Sequence, residues 1–477
     1  MNSESLQNFI IFVGSFAFFA TLTFCICVKL IVRSRRKDAR KDTNVSLHVG
    51  FFHPYCNAGG GGERVLWCAI RSILKRYNKV KVVVYTGDVD APPAKILARA
   101  KNSFNIVLDA KRIEFVYLNY RKWVEAEKYP YFTLLGQSIG SMMMGLEALI
   151  KYPPDIFFDT MGYAFVYPIF KYFGKCPIAS YTHYPTISTE MLKRVQNRVV
   201  AHNNSNYVAT NPFLTWIKLV YYRIFARLYS FVGRKANAIM VNSSWTENHI
   251  LNLWNVPYKT HRLYPPCEVT HLKNLQPAHL DDQIVILTVG QFRPEKDHPL
   301  MLQSMYELRT LLNHNEALWS RVKLLIVGSC RNEADEERVK NMKDLTRHLS
   351  LENNVEFKVN VSYSELIQCY QSATIGIHTM WNEHFGISVV ECMAAGLIMV
   401  ANRSGGPLLD IIETSEGSRT GYLAVDAMDY AHCLAAILYN SKEDNDAIRK
   451  RARASVDRFS EREFENQFLR IVSPLFE

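Results

Sequence analysis

The sequence predicts an α/β protein with two Rossmann-like domains facing a cleft, preceded by one N-terminal transmembrane helix. A glycine-rich turn at residues 59–62 follows an apolar strand-like run and opens one series of alternating strands and helices. A second series starts near residue 284, and an apolar N-terminal segment precedes both. The 477 residues exceed one ordinary core and suit two such domains with an appendage. The expected segments are an anchor with its basic flank at 1–43, domains at 44–273 and 274–455, and a C-terminal segment at 456–477.

The N-terminal anchor is predicted from residues 9–28, which are apolar except for small or hydroxyl side chains and can cross a bilayer as one helix. Basic residues follow this stretch, whereas none precedes it, so the positive-inside rule places the N-terminus in a lumenal or external space and the rest in the cytosol. A cleaved signal peptide is the alternative, but its basic region would come before the apolar stretch. The basic block contains Lys29, Arg33, Arg35, Arg36, Lys37, Arg40 and Lys41.

The formal net charge of +11 is compatible with nucleic acid, an anionic membrane surface or phosphorylated substrates as partners. The basic residues are dispersed, and the chain has neither zinc-finger spacing nor an aromatic-basic RNA-binding motif, so we expect no nucleic-acid partner. The ten cysteines form no C-x-x-C pair. They are predicted to be reduced thiols in a cytosolic compartment.

The first domain opens with a predicted strand at 45–52, the glycines at 59–62 and an apolar helix that reaches about Tyr77. Glycines allow a ligand to approach the backbone, and the helix N-terminus favours phosphate. A dinucleotide site is the main alternative, but no acidic residue ends the second predicted strand, at 80–86, as that site would require. The pair Asp88 and Asp90 has the D-x-D spacing of a metal-dependent transferase, although its Gly- and Pro-containing context favours a solvated loop.

Four further strands are predicted in the first domain, separated by helix-compatible segments, which indicates a mainly parallel sheet. His183 follows the run 178–181 and therefore lies at the carboxyl end of a strand, where a side chain can enter a ligand site. A buried, hydrogen-bonded histidine is the alternative. The strands are expected at 113–118, 156–159, 178–181 and 238–241.

The segment 213–232 mixes large apolar residues with Lys218, Arg223 and Arg227, a pattern typical of an amphipathic helix at a membrane interface. Packing inside the protein explains the same periodicity equally well. We predict that this segment contacts membrane.

A proline-bearing polar stretch at 265–283 marks the expected boundary between the domains. The second domain then has predicted strands at 284–289, 322–327, 355–359, 374–379 and 398–402. Its first turn carries Gly290, Arg293 and Lys296, and a glycine beside two cations suits a diphosphate. A solvated charged turn is the alternative. The turn 404–407 is a second candidate phosphate site.

The stretch 375–399 reads as a strand, a polar loop, a helix from Gly386 to Ala395 and a further strand. In open α/β sheets, ligands lie beyond the carboxyl ends of strands, against a helix N-terminus that attracts anions. Glu383 in the loop would face the reacting part of a phosphate-bearing substrate. Glu391 lies about one and a half turns into the helix and could accept hydrogen bonds from neutral hydroxyls such as those of a ribose.

These motifs carry a family resemblance. The segments 59–64, 290–296 and 383–391 resemble the retaining glycosyltransferases with two Rossmann-like domains, the GT-B type, over nearly all of the soluble chain. The segments 60–67, 129–138, 181–186 and 291–296 are more specifically similar to the endoplasmic-reticulum α-1,2-mannosyltransferases of asparagine-linked glycosylation, which act on dolichol-linked oligosaccharides.

The resemblance implies mannose transfer from GDP-mannose to a dolichol-diphosphate-linked trimannosyl-chitobiose, and then to its product, with retention. Catalytic roles are implied for Lys296, which would neutralise the leaving diphosphate, for Glu383, which would hold hydroxyls of the donor sugar, and for His183. Donor binding is implied for Gly290, Arg293, Phe385, Gly386 and Glu391, and contact with the acceptor and diphosphate for Gly60, Gly61 and Gly62.

The resemblance also implies that no cofactor or metal is needed and that the last helix returns to the first domain. It implies a single-pass endoplasmic-reticulum membrane protein with a lumenal N-terminus and cytosolic catalytic domains. Other mannosyltransferases of the same pathway are further candidate partners.

Three points stay open on the sequence. Relatives commonly have arginine directly after the glycine of the phosphate turn, where this chain has Gln291, so either Gln291 or Arg293 contacts the diphosphate. The catalytic base is not identified, and the donor phosphate itself is one candidate. A related UDP-sugar transferase with another lipid acceptor and a catalytically silent membrane scaffold are the alternative functions.

Overall fold

The computed structural model describes residues 3–41, 45–188, 191, 195–196, 211–276, 278 and 283–477. They divide into two compact units. The expected boundary at residues 43 and 44, and residues 277 and 279–282 of the expected linker, lie outside the described part of the chain. The domain boundaries therefore stay predictions. Unit 1 comprises Met1–Met240, Asn248–His261 and Leu469–Glu477, and unit 2 comprises Val241–Glu247 and Arg262–Phe468.

Helix α1, Ser3–Ala39, contains a stretch from Ile11 that is long and apolar enough to cross a membrane. Its basic half is attached to unit 1. Val28 and Val32 are buried there, and Arg36 donates to the backbone oxygens of Pro154 and Gly174 at 2.8 and 2.6 Å. These two carbonyl groups lie shortly before the strands Ile156–Asp159 and Ile178–Thr182. The guanidinium therefore fixes α1 near the amino ends of these two strands.

Unit 1 is an α/β unit built on a seven-stranded sheet with the strand order β3-β2-β1-β4-β5-β6-β7. The pairs β3/β2, β2/β1, β1/β4 and β4/β5 are parallel, as the alternation of strands and helices predicts. The strands are β1 Leu47–Phe52, β2 Val80–Thr86, β3 Ile113–Tyr117, β4 Ile156–Asp159, β5 Ile178–Thr182, β6 Ala238–Val241 and β7 Thr260–Arg262. The helices are α2 Gly61–Arg76, α3 Pro93–Phe104, α4 Thr133–Lys151, α5 Tyr167–Tyr172, α6 Pro212–Gly233 and α7 Ser244–Trp254, the last of which continues from unit 2.

Aromatic side chains fill the core of unit 1. Phe51 stacks on Phe158 with ring centroids 4.8 Å apart, and Phe157 stacks on Phe170 at 3.6 Å. Such strands are buried on both faces, which explains why they read as continuous apolar runs rather than alternating ones.

Helix α6 covers the segment that was predicted to be amphipathic. Phe225, Tyr229 and Val232 are buried in unit 1, whereas Trp216 and Ile224 are exposed. Packing therefore accounts for one face of this helix and leaves an apolar face outside. Membrane contact by α6 stays a prediction.

Unit 2 is a six-stranded parallel sheet with the order β10-β9-β8-β11-β12-β13. The strands are β8 Ile284–Val289, β9 Val322–Gly328, β10 Val355–Val359, β11 Ile375–His378, β12 Ile398–Asn402 and β13 Gly421–Ala424. The helices are α8 Val269–Leu272, α9 His298–Leu311, α10 Glu316–Trp319, α11 Glu333–His348, α12 Tyr363–Ser372, α13 Ile387–Ala395, α14 Ala427–Tyr439, α15 Lys442–Ser455 and α16 Glu461–Val472, the last of which continues into unit 1.

The strand order of unit 2 reverses between β8 and β11. The chain moves outward from β8 to β10 and then returns to place β11 on the other side of β8. The turns that follow β8 and β11 therefore separate, and a crevice opens at their carboxyl ends. The residues expected to bind a nucleotide sugar follow these two strands.

Candidate active site

A charged pair lies at the carboxyl ends of β8 and β11. The Nζ atom of Lys296 is 2.6 Å from Oε2 of Glu383, and the two side chains are 20% and 15% exposed. The ring Nε2 of His378 lies 3.1 Å from the same carboxylate oxygen. The hydroxyl of Thr379 donates to the backbone oxygens of Lys296 and Asp297 at 2.8 and 3.0 Å, which ties the two turns together.

The electrostatics of this cluster keep Glu383 ionised. Burial alone would raise its pKa, but the charge of Lys296 and the hydrogen bond from His378 hold the pKa of Glu383 well below its usual range. Burial, together with the Lys296 charge, lowers the pKa of His378. The same two causes, burial first, lower the pKa of His298 to about 4. Both rings are thus neutral at pH 7, and the charge of Lys296 is opposed by one carboxylate.

Three glycines shape the backbone around Glu383. Gly386 precedes α13 with φ +110°, which a residue with a Cβ rarely adopts. At Gly405, with φ +54°, a Cβ would lie 2.1 Å from the backbone oxygen of Glu383. The N–H of Gly406 donates to that oxygen at 2.8 Å. The 404–407 turn can therefore lie directly on the loop that carries the glutamate.

Phe385 has its side chain in the core of unit 2. It is 2% exposed and packs on Tyr264 and Phe459, with ring centroids 5.6 and 5.2 Å apart. Only its backbone reaches the turn, where a Cβ on Gly406 would meet the Phe385 oxygen at 2.3 Å. Any contribution of Phe385 to donor binding therefore comes from its backbone.

Glu391, four residues into α13, is partly buried. Its carboxylate accepts long hydrogen bonds of 3.4 Å from the Glu268 N–H and from the Tyr370 hydroxyl. At 3.4 Å both hydrogen bonds are long, and they hold the carboxylate at the side of α13 that faces Glu268 and Tyr370.

The first turn of unit 2 places Gly290 beside Lys296, because a Cβ on Gly290 would lie 3.6 Å from the lysine Cε. Arg293 forms an ion pair with Glu295 and is 43% exposed. The structure thus groups Gly290, Lys296, Glu383 and Gly386, while Arg293 contacts a neighbour within its own turn.

The glycine loop of unit 1 forms a second cluster. Gly59 has φ +77°, and the Gly60 N–H donates to the carboxylate of Glu63. That carboxylate is 3.2 Å from Nε2 of the buried His53. A Cβ on Gly62 would lie 3.6 Å from Nε2 of His183, so the predicted histidine and the predicted loop adjoin.

The loop glutamate is ionised. Burial raises the pKa of Glu63, but the hydrogen bond and charge of His53 and the Gly60 N–H outweigh burial and bring the pKa below its ordinary value. The other ring nitrogen of His53, Nδ1, is 2.8 Å from the hydroxyl of Thr160. His53 follows β1 and Thr160 follows β4, which are neighbours in the sheet. The loop is therefore tied to the point where the strand order of unit 1 reverses.

Asp88, half of the D-x-D pair, has structural partners. It accepts a hydrogen bond of 2.9 Å from the Asn57 N–H and forms an ion pair with Arg121. Its carboxylate holds the turn after β2 against the loop after β1.

Comparison with known proteins gives two family matches. Residues 46–254 match the ALG11 mannosyltransferase N-terminus, and residues 273–455 match the glycosyl transferases group 1. A human protein named GDP-Man:Man(3)GlcNAc(2)-PP-Dol alpha-1,2-mannosyltransferase is 48% identical over 95% of this chain and 94% of its own. The protein of the same name from Dictyostelium discoideum is 45% identical over 92% and 86%.

The chain belongs to the ALG11 mannosyltransferase family. The resemblance inferred from the glycine loop and the glutamate motif is thereby confirmed.

Solved structures place this ALG11 family member in the GT-B fold. Anabaena HepE in complex with UDP and glucose has a TM-score of 0.60 at 14% identity and covers 90% of this chain and 100% of its own. Sucrose-phosphate synthase from Thermosynechococcus elongatus has a TM-score of 0.62 at 17% identity and covers 90% and 99%. The prediction of two parallel-sheet α/β domains after one N-terminal apolar helix is confirmed.

Sequence reasoning missed the partners of the predicted residues in this ALG11 family member. His378 ends a buried strand, and His53 and Thr160 each directly follow one. The rule that drew attention to His183, a polar residue at the carboxyl end of a strand, applies to all three. The sequence therefore marks all three residues as candidates for the site. Which of them lie close together depends on the order of the strands in the sheet, which the local sequence does not give.

Proposed function

We propose that this protein transfers mannose from GDP-mannose to the dolichol-diphosphate-linked oligosaccharide Man(3)GlcNAc(2), adding the fourth and fifth mannoses in α-1,2 linkage with retention. The identity of 48% over 95% of the chain with an enzyme of that name supports the donor, acceptor and linkage. The observation that carries the chemistry is the Lys296–Glu383 pair at the reversal of strand order in unit 2.

The donor diphosphate is assigned to the turn after β8 and the N-terminus of α13. Breaking the bond between mannose and phosphate develops negative charge on the leaving diphosphate, and a positioned ammonium stabilises that charge. Lys296, held by Glu383, supplies it. Gly290 has no side chain and so leaves room beside the methylene groups of Lys296. The first backbone N–H groups of α13, which follow Gly386, can donate to a diphosphate oxygen. Either Gln291 or Arg293 completes the diphosphate contacts.

The two glutamates take different parts of the donor. Glu383 is ionised and carries a carboxylate that accepts from sugar hydroxyls near the reacting carbon. Glu391, on α13, accepts from the ribose. Phe385 contributes through its backbone beside Gly406.

The acceptor is assigned to the glycine loop of unit 1. Gly60, Gly61 and Gly62 let the backbone approach the oligosaccharide and its diphosphate, and His183 contacts a hydroxyl beside Gly62. We assign no catalytic base among the described residues. The donor phosphate is the candidate base in a retaining transfer of this kind.

The proposal includes membrane attachment. Helix α1 anchors the chain in the endoplasmic-reticulum membrane by a single span, with a lumenal N-terminus and both units in the cytosol. Its apolar stretch from Ile11 and the basic residues that follow support this arrangement. Other mannosyltransferases acting on the same lipid-linked oligosaccharide are proposed partners.

The deciding experiment is transfer by the purified full-length chain in detergent, with radiolabelled GDP-mannose and a phytanyl-diphosphate-linked trimannosyl-chitobiose. We expect one or two added mannoses that α-1,2-mannosidase removes. EDTA should leave the rate unchanged, because Lys296 and the α13 N-terminus supply the positive charge that a metal would otherwise bring. Transfer from a UDP-sugar to another lipid, without a mannose product, would replace the substrates and keep the fold.

A further inference from the structure

Helix α4 is apolar both on the face that packs against unit 1 and on the face that is exposed. Its inner face packs small and apolar residues such as Met144 and Ala148 into unit 1. Its outer face exposes a stripe at helical spacing, in which Ile139 is 51% exposed, and the stripe contains no charged side chain. The exposed residues are Phe132, Leu135, Ile139, Met142 and Met143.

This stripe continues onto α6. The N–H of Leu135 donates to the hydroxyl of Tyr221 at 3.1 Å, and the ring of Phe132 lies edge-on against the Tyr221 ring at 5.2 Å. The start of α4 therefore contacts the middle of α6. Helix α6 has exposed apolar residues of its own: Phe213, Trp216, Ile217, Ile224, Leu228 and Phe231.

Helix α1 lies beside α4. From Ile11 onward, where side-chain burial is described, the buried residues of α1 are Val28 and Val32, in the half that carries the basic residues. From Ile11 to Ile26 its apolar side chains extend into the surroundings. The segment that is expected to span the bilayer therefore belongs to a helix that contacts α4.

The direction of α4 relates this face to the glycine loop. The helix follows β3 and precedes β4, so in a right-handed crossover it runs from the carboxyl edge of the sheet to its amino edge. Arg36 fixes α1 at the amino edge, at Pro154 and Gly174. The exposed Tyr131 and Phe132 therefore lie toward the edge that carries the glycine loop.

We propose that the outer faces of α4 and α6, together with α1, seat unit 1 in one leaflet of a lipid bilayer, and that α4 guides the lipid chain of the acceptor from the bilayer toward the glycine loop. An uncharged apolar stripe suits acyl chains, and the exposed Arg223 and Arg227 on α6 suit lipid phosphates. The guiding role rests on the proposed function, whereas the bilayer contact does not.

The contact can be tested with the full-length chain in nanodiscs of phosphatidylcholine and phosphatidylserine. A photoreactive p-benzoylphenylalanine replaces Ile139, and mass spectrometry identifies what it captures. The same group at Phe16 on α1 is the positive control. The matched negative control is Ala98 on α3, which is exposed and lies across the sheet from α4, because α3 belongs to the outward crossovers and α4 to the return.

We expect lipid adducts at Ile139 and Phe16 and none at Ala98. Lipid adducts at Phe16 without any at Ile139 would overturn the proposal. Adducts of Ile139 to a second copy of the chain or to another protein would also overturn it, since they would show a protein on this face.

The guiding role needs a second measurement. The double variant Ile139→Glu with Met142→Glu should lower transfer to a bilayer-embedded long-chain dolichol acceptor by about tenfold or more, because carboxylates resist entry into an apolar layer. Transfer to a short-chain acceptor in detergent should be unchanged, as it should be in Ala98→Glu with either acceptor.

Equal loss with both acceptors would overturn the guiding role. If the wild-type chain transfers nothing to either acceptor, the proposed function fails, and the adduct pattern still decides the bilayer contact.

Discussion

At the scale of single residues, Glu383 carries a charge that the fold has arranged to keep. A buried carboxylate is costly unless it is paired, and here Lys296 and His378 both contact it. Such an arrangement is expected where charge serves a reaction, although ion pairs also occur for structural reasons. Substitutions that keep the shape but remove the charge separate the two.

We predict that Glu383→Gln lowers kcat by about 100-fold or more, since an interaction made with the reacting part of the donor is lost. Glutamine still accepts from Lys296, so the melting temperature should stay within a few degrees of wild type. Lys296→Ala should lower kcat by a similar factor. The control is Glu416→Gln, at an exposed turn residue, which should leave transfer unchanged. Wild-type rates in the Glu383 or Lys296 variant would contradict the assigned roles.

His53 is assigned no direct contact with the substrate. It is a positioning residue for the glycine loop. It joins Thr160 to Glu63, and Glu63 in turn accepts from the Gly60 N–H. His53→Ala would leave the buried Glu63 without the partner that keeps it ionised, at a cost of about 1–3 kcal/mol. We predict a raised KM for the acceptor with an unchanged KM for GDP-mannose, measured by initial rates at saturating co-substrate.

The conservative variant His53→Gln supplies a donor toward Glu63 and should restore part of the acceptor KM. A purely structural role would instead move both KM values together with the melting temperature, and that result would exclude selective positioning of the loop.

At the scale of elements, strands were the most predictable feature, and two short strands were missed. Predicted and observed bounds differ by at most two residues for β1, β8 and β11. The strands β7 and β13 were not predicted: β7 has only three residues, and β13 begins with Gly421 and carries no β-branched residue. Pairing with β12, rather than local preference, makes β13 a strand.

The candidate site was predictable in its charged residues and not in their surroundings. Lys296 and Glu383 follow buried strands and precede helices, so local pattern was sufficient to find them. The burial of Phe385 depends on Tyr264 and Phe459, which are distant in the chain. The pairing of His53 with Thr160 likewise depends on β1 and β4 becoming neighbours. Long-range packing of this kind leaves no local periodicity.

The 404–407 turn gives a prediction at this scale. At Gly405 a Cβ would collide with the Glu383 oxygen at 2.1 Å, and φ is +54°. Gly405→Ala should therefore destabilise the protein by about 2 kcal/mol or more and displace the loop that carries Glu383. Gly417→Ala is the matched control, because its φ is +79° and nothing lies within 4 Å of the added Cβ.

The control should cost about 1 kcal/mol through backbone strain alone and keep its activity. Differential scanning fluorimetry and transfer rates on both variants provide the measurement. Equal destabilisation by the two alanines would show that the close approach of the 404–407 turn to Glu383 has no energetic weight.

At the scale of the whole molecule, the attachment of α1 to unit 1 determines what the anchor can do. A span joined by a flexible tether would leave the orientation of unit 1 undefined, whereas Arg36 and Arg40 fix α1 through Pro154, Gly174 and Asp155. The basic residues that are expected to lie at the cytosolic headgroups are thus the ones that dock the helix. Orientation in the membrane and attachment of the soluble body depend on the same segment.

This dependence leads to a topology prediction that uses asparagine-linked glycosylation as the reporter, since only lumenal sequons are modified. Glu416→Asn places asparagine before Gly417 and Ser418 in an exposed turn of unit 2. A second chain carries a sequon-bearing extension before Met1. In microsomes, we expect the extended chain to gain an endoglycosidase-sensitive mass and the Glu416→Asn chain to match wild type, because the basic block after the apolar stretch holds both units on the cytosolic side. Glycosylation at position 416 without glycosylation of the extension would show that the protein has the opposite orientation in the membrane. It would also place the Lys296–Glu383 site in the lumen, on the opposite side of the membrane from the proposed one.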